Sequence, residues 1–534
     1  MIPSALNFTN RKSIFQTLDS TSFDIVIIGA GITGCGIARD AAMRGLSVAI
    51  VDANDIASGT SSRSSKLIHG GMRYLAAGQV TVVRQAATER KTLRAIAPHL
   101  AQTTHMLVPA RSKASILKFK TAMVAYEKLG EVESKEKHFV WSLDELAEHE
   151  PELISEKLAG AVVYPEYVTD DARLTLANAR SAAEAGAVLA TYAKATQVIT
   201  ENGKAMGVRI QSTLPNESLE ATVRGRTIIN ASGPWLDDIC TLEDPQAQSK
   251  LQLTKGIHIT LSRDRLPINT TVIMQTPDKR SIFVVPRGEF VYFGTTDTFY
   301  AETEYWPEIT TDDVDYMLDI GSKTFHCGPF NYDDIQSMWS GVRPLLAQAG
   351  KSPSEISRKN EILVGPTGIR SIAGGKLTSY RSMAERIVDQ CIEEHQLTAN
   401  GCETATTYLT GGDIDAEIST LAESLKANGM TAADTERAVR LYGSEAEFVF
   451  RDKSGIDAEV QFAVTHEGAL TLEDFWVRRS ARARFSTDGG IDELETAARH
   501  MGPLLGWAEN DIQDQVTLCK KIRKREMQAI QSQE

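Results

Sequence analysis

The sequence has few cysteines, no long apolar run and no surplus of basic residues. Its six cysteines are scattered over 534 residues, and no two of them form a CxxC pair. This spacing argues against a thiolate zinc site, an iron–sulfur cluster or a disulfide scaffold, and it favours a reducing, cytoplasmic compartment. No apolar stretch of about 18 residues occurs, so we expect no transmembrane helix. We also predict no metal site.

The charge balance is acidic, with 70 acidic and 57 basic residues and a formal net charge of −13. A nucleic-acid-binding protein normally carries a basic surplus, so we expect no nucleic-acid partner. The first twenty residues lack the apolar segment of a signal peptide, so none is expected. At about 150 residues per domain, the length allows roughly two to four domains. We find no internal repeat or low-complexity tract.

The first ordered elements predict a βαβ unit. Residues 23–28 (FDIVII) are typical of a short buried strand, and residues 34–44 of a helix that ends at a glycine. Residues 46–51 (LSVAIV) predict a second buried strand. Two buried strands joined by a helix within about 30 residues indicate a parallel sheet.

The turn between the first strand and the helix carries the GxGxxG fingerprint of dinucleotide binding. Gly29 permits the tight turn, Gly31 lets the backbone approach a pyrophosphate, and Gly34 allows the helix to pack closely on the strand. The helix N-terminus then directs free N–H groups at the phosphates. Asp52 ends the second strand, where a carboxylate accepts hydrogen bonds from the adenosine ribose. The alternative is a glycine turn that only packs.

The next segment, residues 58–71, is rich in glycine and hydroxyl side chains and contains an apolar Leu67-Ile68 pair. This composition suits a long polar cofactor such as FAD better than a solvated surface loop.

Later segments predict antiparallel strands and then helices. Apolar and polar residues alternate within residues 253–261, which suggests an antiparallel strand. Residues 281–286 and 290–295 predict a hairpin of antiparallel strands. Residues 431–441, 458–465, 472–484 and 492–500 predict helices.

Nine motifs in order resemble those of the FAD-dependent glycerol-3-phosphate dehydrogenases, which are related to the D-amino-acid-oxidase-like flavoproteins. The resemblance spans roughly residues 24–484. Asp52 stands where that family often has glutamate, and Ser232 where it has threonine. The motifs are residues 60–75, 170–174, 230–235, 255–258, 294–297, 340–345, 374–381, 441–443 and 474–479.

The resemblance implies a discontinuous α/β architecture, α+β overall. A Rossmann-like FAD-binding domain would combine residues 22–85, 165–240 and 355–398. An antiparallel-sheet substrate-binding domain would comprise residues 86–164 and 241–354, inserted into the first. A helical C-terminal cap domain would span residues 408–525. Arg478 and Arg479 are expected to form salt bridges between domains.

The activity implied is oxidation of sn-glycerol 3-phosphate to dihydroxyacetone phosphate, with hydride transfer to FAD and electrons passed to a quinone. Two alternatives stay open: a soluble oxidase that makes hydrogen peroxide from O2, and a flavin-binding subunit without turnover. Residues 520–525 form a basic run that is either a solvated helix end or a peripheral contact with the inner face of the cytoplasmic membrane. A homodimer is a further open possibility.

The resemblance also implies site residues. Arg343 and Lys376 are expected to act in catalysis and, with Arg73 and Tyr74, to bind the substrate; a structural ion pair is the alternative for each cation. His258 is the expected base, and His69 its rival. The expected FAD-binding residues, besides Gly29, Gly31, Gly34 and Asp52, are Ser61, Ser62, Ser65, Lys66, His69, Gly70, Gly71, Ala231, Gly233, Gly374, Gly375, Lys376, Leu377 and Thr378.

Overall fold

The protein is described by a computed structural model that covers residues 6–70, 80–129, 132, 136–276, 280–348, 350, 360–414, 418–427 and 429–531. In these ranges the chain forms two β-sheets and a group of C-terminal helices. Within the same ranges, no helix combines the length and apolar character needed to cross a membrane.

The first sheet has eight strands, and its central strands are parallel. The order is β17-β18-β10-β1-β2-β7, and β9 joins β8 to β10 through antiparallel pairs. The strands are β1 (Ser22–Ile28), β2 (Val48–Val51), β7 (Val188–Ala190), β8 (Ala193–Glu201), β9 (Lys204–Ser212), β10 (Glu220–Asn230), β17 (Glu361–Val364) and β18 (Arg370–Ala373).

The second sheet has ten strands and is mainly antiparallel. Its order is β15-β11-β14-β13-β12-β4-β6-β3, with β16 paired to β11 and β5 to β6. The strands are β3 (Leu67–Ile68), β4 (Gln102–Ala110), β5 (Phe139–Trp141), β6 (Gly160–Val168), β11 (Leu251–Ser262), β12 (Thr271–Gln275), β13 (Ser281–Arg287), β14 (Phe290–Gly294), β15 (Thr298–Phe299) and β16 (Ile335–Leu346).

The α-helices surround the sheets and form the C-terminal part. They are α1 (Arg11–Ser20), α2 (Ile32–Met43), α3 (Val80–Ile96), α4 (Lys113–Leu129), α5 (Leu143–His149), α6 (Asp171–Glu184), α7 (Leu236–Glu243), α8 (Thr311–Ser322), α9 (Tyr380–His395), α10 (Ile418–Ala427), α11 (Ala432–Tyr442), α12 (Ala446–Val449), α13 (Gly455–Glu467), α14 (Arg482–Phe485), α15 (Leu494–Leu505), α16 (Glu509–Glu526) and α17 (Gln528–Gln531).

The last four residues of strand β1, residues 25–28, are all apolar because both faces of the strand are covered there. Ile25 and Ile27 belong to the core that includes α2, whereas Val26 and Ile28 belong to the core that includes Phe15 of α1. Hydrophobic burial therefore fixes the strand that leads into the glycine turn. The predicted βαβ unit is present as β1, α2 and β2.

The mixed α/β fold with a helical C-terminal part agrees with the sequence-based prediction, but two details differ. Residues 67–68 and 165–168, which the sequence analysis assigned to the FAD-binding domain, pair within the second sheet. Residues 472–484 are not one continuous helix. A π-helical segment, Asp474–Arg479, ends before Ala481, whose φ of 56° breaks the helix, and α14 follows. The domain boundaries themselves stay a prediction.

A buried ion network joins the C-terminal part to the loop after β2. Arg478 Nε donates to Asp55 Oδ2 at 2.6 Å, and Arg479 Nη2 donates to Asp55 Oδ1 at 2.8 Å. All three side chains are fully buried. Burial alone would raise the pKa of Asp55, but Arg479 and Arg478 hold it below its usual value. The expected salt bridge between domains is therefore present.

We predict that Asp55→Asn destabilises the fold by about 3–5 kcal/mol, because it leaves two buried guanidinium groups without their shared carboxylate. The free energy of unfolding, measured by urea denaturation, checks this. Arg499→Gln is the control, since Arg499 pairs with Glu495 and Glu509 on the surface and should change stability little. Equal effects of the two substitutions would contradict the prediction.

Candidate active site

A cavity of about 2360 Å³ is lined by residues from both sheets. Its walls include Gly29, Gly31 and Asp52 at the ends of β1 and β2, and His258 and Arg343 on β11 and β16. Single ligand pockets usually measure about 300–1,000 Å³. The volume is therefore sufficient for a large cofactor together with a small substrate.

The glycine turn is shaped by close backbone approach. Gly29 has a φ of +109°, and a Cβ on Gly34 would lie 1.9 Å from the Gly29 carbonyl oxygen. Gly31 lines the cavity and precedes α2, whose first N–H, that of Ile32, donates to Ser61 Oγ at 2.9 Å. The arrangement presents a helix N-terminus to the cavity, which is a site that favours phosphate.

Asp52 lies at the cavity wall next to this turn. Its Oδ2 accepts from the Ala30 N–H at 2.6 Å, and its Oδ1 accepts from the Asn54 N–H at 2.8 Å. Burial raises the pKa of Asp52 to about 6. Each carboxylate oxygen keeps a further acceptor position, so the residue can accept from ribose hydroxyls.

Ten further residues of the predicted FAD site line the same cavity: Ser61, Ser65, His69, Ala231, Gly233, Gly374, Gly375, Lys376, Leu377 and Thr378. Gly374 and Gly375 have φ values of +72° and +92°, a conformation that favours glycine. A Cβ on Gly375 would lie 2.5 Å from Met383 Sδ. Glycine backbone from two separate segments therefore borders the cavity, which fits an extended cofactor such as FAD.

Other predicted FAD-site residues make internal contacts. Lys66 Nζ donates to Asp171 Oδ1 at 2.5 Å and to the Ser62 carbonyl at 3.1 Å, so it forms a buried ion pair. The Gly70 N–H donates to Glu166 at 3.1 Å. Gly34 packs on Gly29 as described above. The predictions at Gly71, Arg73 and Tyr74 lie outside the described residues.

Arg343 is held in the second sheet by two neighbours. Its Nη2 donates to Thr295 Oγ1 at 2.7 Å, and its Nη1 lies 3.2 Å from Asp297 Oδ1. A Cβ on Gly256 would lie 2.2 Å from Arg343 Nη2, so the glycine of the Lys-Gly-x-His motif makes room for the guanidinium. Both Arg343 and Asp297 line the cavity.

His258 lies on the same strand as Gly256 and lines the same cavity, with only 1% of its surface exposed. Its Nε2 is 2.9 Å from Ser65 Oγ, and its ring stacks on Trp339 at 4.6 Å with an interplanar angle of 8°. Burial lowers the pKa of His258 well below its usual value, and the charges of Arg343, Lys66 and Arg484 lower it further. The imidazole is therefore neutral at physiological pH.

Lys376 lies between the glycine pair and the short helical turn Leu377–Ser379. Burial raises the pKa of Glu166, and the Lys376 ammonium is one of the charges that counteract this shift. Lys376 is thus a cation at the wall of the cavity that Arg343 also lines. The structure brings His258, Arg343 and Lys376 to one cavity, and their roles stay a prediction.

Sequence reasoning missed Arg280 and Tyr305, which both lie at the cavity wall. Arg280 lines the cavity, and its guanidinium carbon lies 4.8 Å from the Tyr316 ring centre. Trp235 stacks on Tyr305 at 4.3 Å, and both line the cavity. Arg280 belongs to none of the motifs, so its basic charge at the start of a predicted strand was the sole available signal.

Comparisons with known proteins agree with this geometry. The family described as FAD-dependent oxidoreductase matches residues 24–381, and the C-terminal domain of alpha-glycerophosphate oxidase matches residues 402–512. The chain is 36% identical to the aerobic glycerol-3-phosphate dehydrogenase of Staphylococcus haemolyticus, covering 95% of each chain. The chain belongs to the FAD-dependent glycerol-3-phosphate dehydrogenase family. It is accordingly an FAD-dependent enzyme.

Solved structures show the same fold. The glycerol-3-phosphate dehydrogenase of Bacillus halodurans, complexed with FAD, has a TM-score of 0.82 and 29% identity, covering 98% of this chain and 99% of that one. The FAD-bound L-alpha-glycerophosphate oxidase of Mycoplasma pneumoniae has a TM-score of 0.56 and 17% identity, covering 73% of this chain and 99% of that one. At that identity the likeness concerns the fold alone.

We predict that FAD binds more weakly below about pH 6, because protonation of Asp52 removes an acceptor for the ribose hydroxyls. A hydrogen bond to a charged group contributes about 1.5–3 kcal/mol, so the dissociation constant should rise by about tenfold or more between pH 7.5 and pH 5. Fluorescence titration of the deflavinated enzyme with FAD measures this. Asp52→Asn should bind weakly at both pH values; an unchanged pH dependence in that variant would contradict the assignment.

Proposed function

We propose that the enzyme oxidises sn-glycerol 3-phosphate to dihydroxyacetone phosphate. The observation that carries the proposal is that His258 and Arg343 lie in the cavity that the glycine turn and Asp52 border. Bound FAD supplies the acceptor for the hydride that leaves C2 of the substrate. The protein binds the substrate, holds its orientation and takes a proton from its O2 hydroxyl.

Arg343 and Lys376 are the proposed substrate cations. A dianionic phosphate needs fixed positive charge, and an arginine can donate two parallel hydrogen bonds to phosphate oxygens. The contacts of Arg343 with Thr295 and Asp297 hold the guanidinium in one position before the substrate arrives. This preorganisation favours Arg343 as the residue that orients the reacting end of the substrate. Arg73 and Tyr74 stay proposed partners of the phosphate on the resemblance alone.

His258 is the proposed general base. A base must be unprotonated when it takes the O2 proton, and burial with neighbouring cations keeps this imidazole neutral. The bond between Nε2 and Ser65 Oγ, with the stack on Trp339, fixes the plane of the ring. His69 also lines the cavity and keeps its place as the alternative base.

We further propose that a quinone accepts the electrons and that the enzyme is cytoplasmic, associated with the inner face of the cytoplasmic membrane. Lys520, Lys521 and Lys524 are exposed on α16 and supply the charge for such a contact. Arg523 pairs with Asp488 and Arg525 with Glu304, so three of the five basic residues of the run remain for such a contact. A homodimer stays a prediction.

The proposal predicts that sn-glycerol 3-phosphate bleaches the flavin absorbance of the holoenzyme under anaerobic conditions. Adding a soluble quinone analogue should restore the oxidised spectrum faster than adding O2 does. Glycerol, which lacks the phosphate, is the control substrate and should leave the spectrum unchanged. A flavin that stays oxidised with glycerol 3-phosphate would reject the substrate, whereas faster reoxidation by O2 with formation of hydrogen peroxide would identify an oxidase.

Arg343→Ala should lower kcat/KM for glycerol 3-phosphate by a factor of about 100 or more, because a charged hydrogen-bond partner of the dianion is lost. The bound FAD should be retained, which the absorbance spectrum of the purified variant reports. Arg226→Ala is a suitable control, since Arg226 is exposed and its nearest carboxylate, on Asp24, is 3.8 Å away. Unaltered turnover in Arg343→Ala would remove this residue from the substrate site.

A further inference from the structure

We infer that two residues of the C-terminal part, Arg484 and Phe485, position the active-site His258. This inference rests on the proposed function, because it treats His258 as the base of the reductive step. It gives the C-terminal part an indirect influence on the reaction. Neither residue touches the cavity itself; both act through Trp339 and its strand.

Phe485 supports the aromatic stack from behind. Its ring meets Trp339 edge-on at 6.0 Å and 70°, and Tyr292 at 5.8 Å and 60°. Trp339 is fully buried and stacks on His258, and Tyr292 lies 6.3 Å from the same imidazole. His258 therefore has two aromatic neighbours, and Phe485 contacts both of them. A smaller side chain at position 485 would leave space into which Trp339 can tilt.

Arg484 fastens this segment to strand β16. The Ser337 hydroxyl donates to the Arg484 carbonyl at 2.8 Å, and Arg484 Nη1 donates to the Met338 carbonyl at 2.9 Å. Nη1 also pairs with Glu526 of α16 at 2.7 Å, and both side chains are buried. Met338 immediately precedes Trp339, so these bonds hold the part of the strand that carries the stacking partner of His258.

The charge of Arg484 acts on His258 as well. The charged and titratable groups that face the imidazole are Lys66 from the loop before β3, Tyr292 from β14, Arg343 from β16 and Arg484 from the C-terminal part. Each of the three cations has a carboxylate partner, which for Arg484 is Glu526. Because a nearby positive charge disfavours a proton on the imidazole, removing the Arg484 charge should raise the pKa of His258. The residues that line the cavity are left unchanged.

Phe485→Leu tests the packing, with Phe450→Leu as a matched control. Phe450 is also a half-buried ring of the C-terminal part, and it meets Tyr442 edge-on at 5.9 Å, away from the cavity. In anaerobic stopped-flow mixing with glycerol 3-phosphate, Phe485→Leu should slow flavin reduction at saturating substrate by about tenfold or more, because small misplacements of a catalytic group are costly. The substrate concentration for half-maximal rate should change little. Phe450→Leu should keep the wild-type reduction rate even if its Tm falls as much as that of Phe485→Leu.

Arg484→Gln tests the charge. Flavin reduction needs neutral His258, so the acid limb of its pH profile should move to higher pH in this variant, while Arg484→Lys should restore the wild-type profile. This measurement decides the inference even if Phe485→Leu fails to fold. Superimposable profiles for Arg484→Gln and wild type, or equal reduction rates for the two phenylalanine variants, would overturn it. Failure of wild type to be reduced would instead reject the proposed function, and the inference with it.

Discussion

Burial of charge is the constraint on which this structure depends. A buried guanidinium is tolerated where a carboxylate shares its environment, and Asp55 provides that carboxylate for two arginines of the C-terminal part. Asp55 lies three residues after Asp52, which borders the cofactor end of the cavity. The C-terminal part therefore cannot separate from the nucleotide-binding loop without exposing or stranding three charges. The packing of the C-terminal helices and the shape of the cofactor site therefore depend on the same ion pairs.

The same constraint operates around His258, which also lines the cavity. Lys66, Arg343 and Arg484 surround the His258 region, and each is neutralised by its own carboxylate. Unpaired, three cations in so small a volume would repel one another and distort the site. Paired, they still disfavour a proton on the imidazole, because a cation nearby makes a second positive charge costly. The proposed base is therefore neutral before substrate binds.

Local signals in the sequence were enough to predict the β1–α2–β2 unit, its glycine turn and Asp52, because these features depend on neighbours within about 30 residues. The partners in ion pairs between distant segments were not predictable in the same way. Lys66 was expected to bind the cofactor, yet its ammonium group forms an ion pair with Asp171, about 100 residues further along the chain. The helix expected over residues 472–484 is interrupted at Ala481, where the apolar pattern continues but the backbone turns. Tertiary packing determines both the partner of Lys66 and the break at Ala481, and neither produces a pattern in the neighbouring sequence.

The basic run at residues 520–525 shows that consecutive basic residues need not form one continuous basic surface. Its residues follow one another in the sequence, but the helical period of 3.6 distributes them around α16. Arg523 turns inward to Asp488 and the Gln336 carbonyl, while Lys520, Lys521 and Lys524 stay exposed. The acidic total of −13 thus hides two populations of cations. In α16, Arg523 is buried and committed to a contact inside the protein, whereas the three exposed lysines are available to an outside partner.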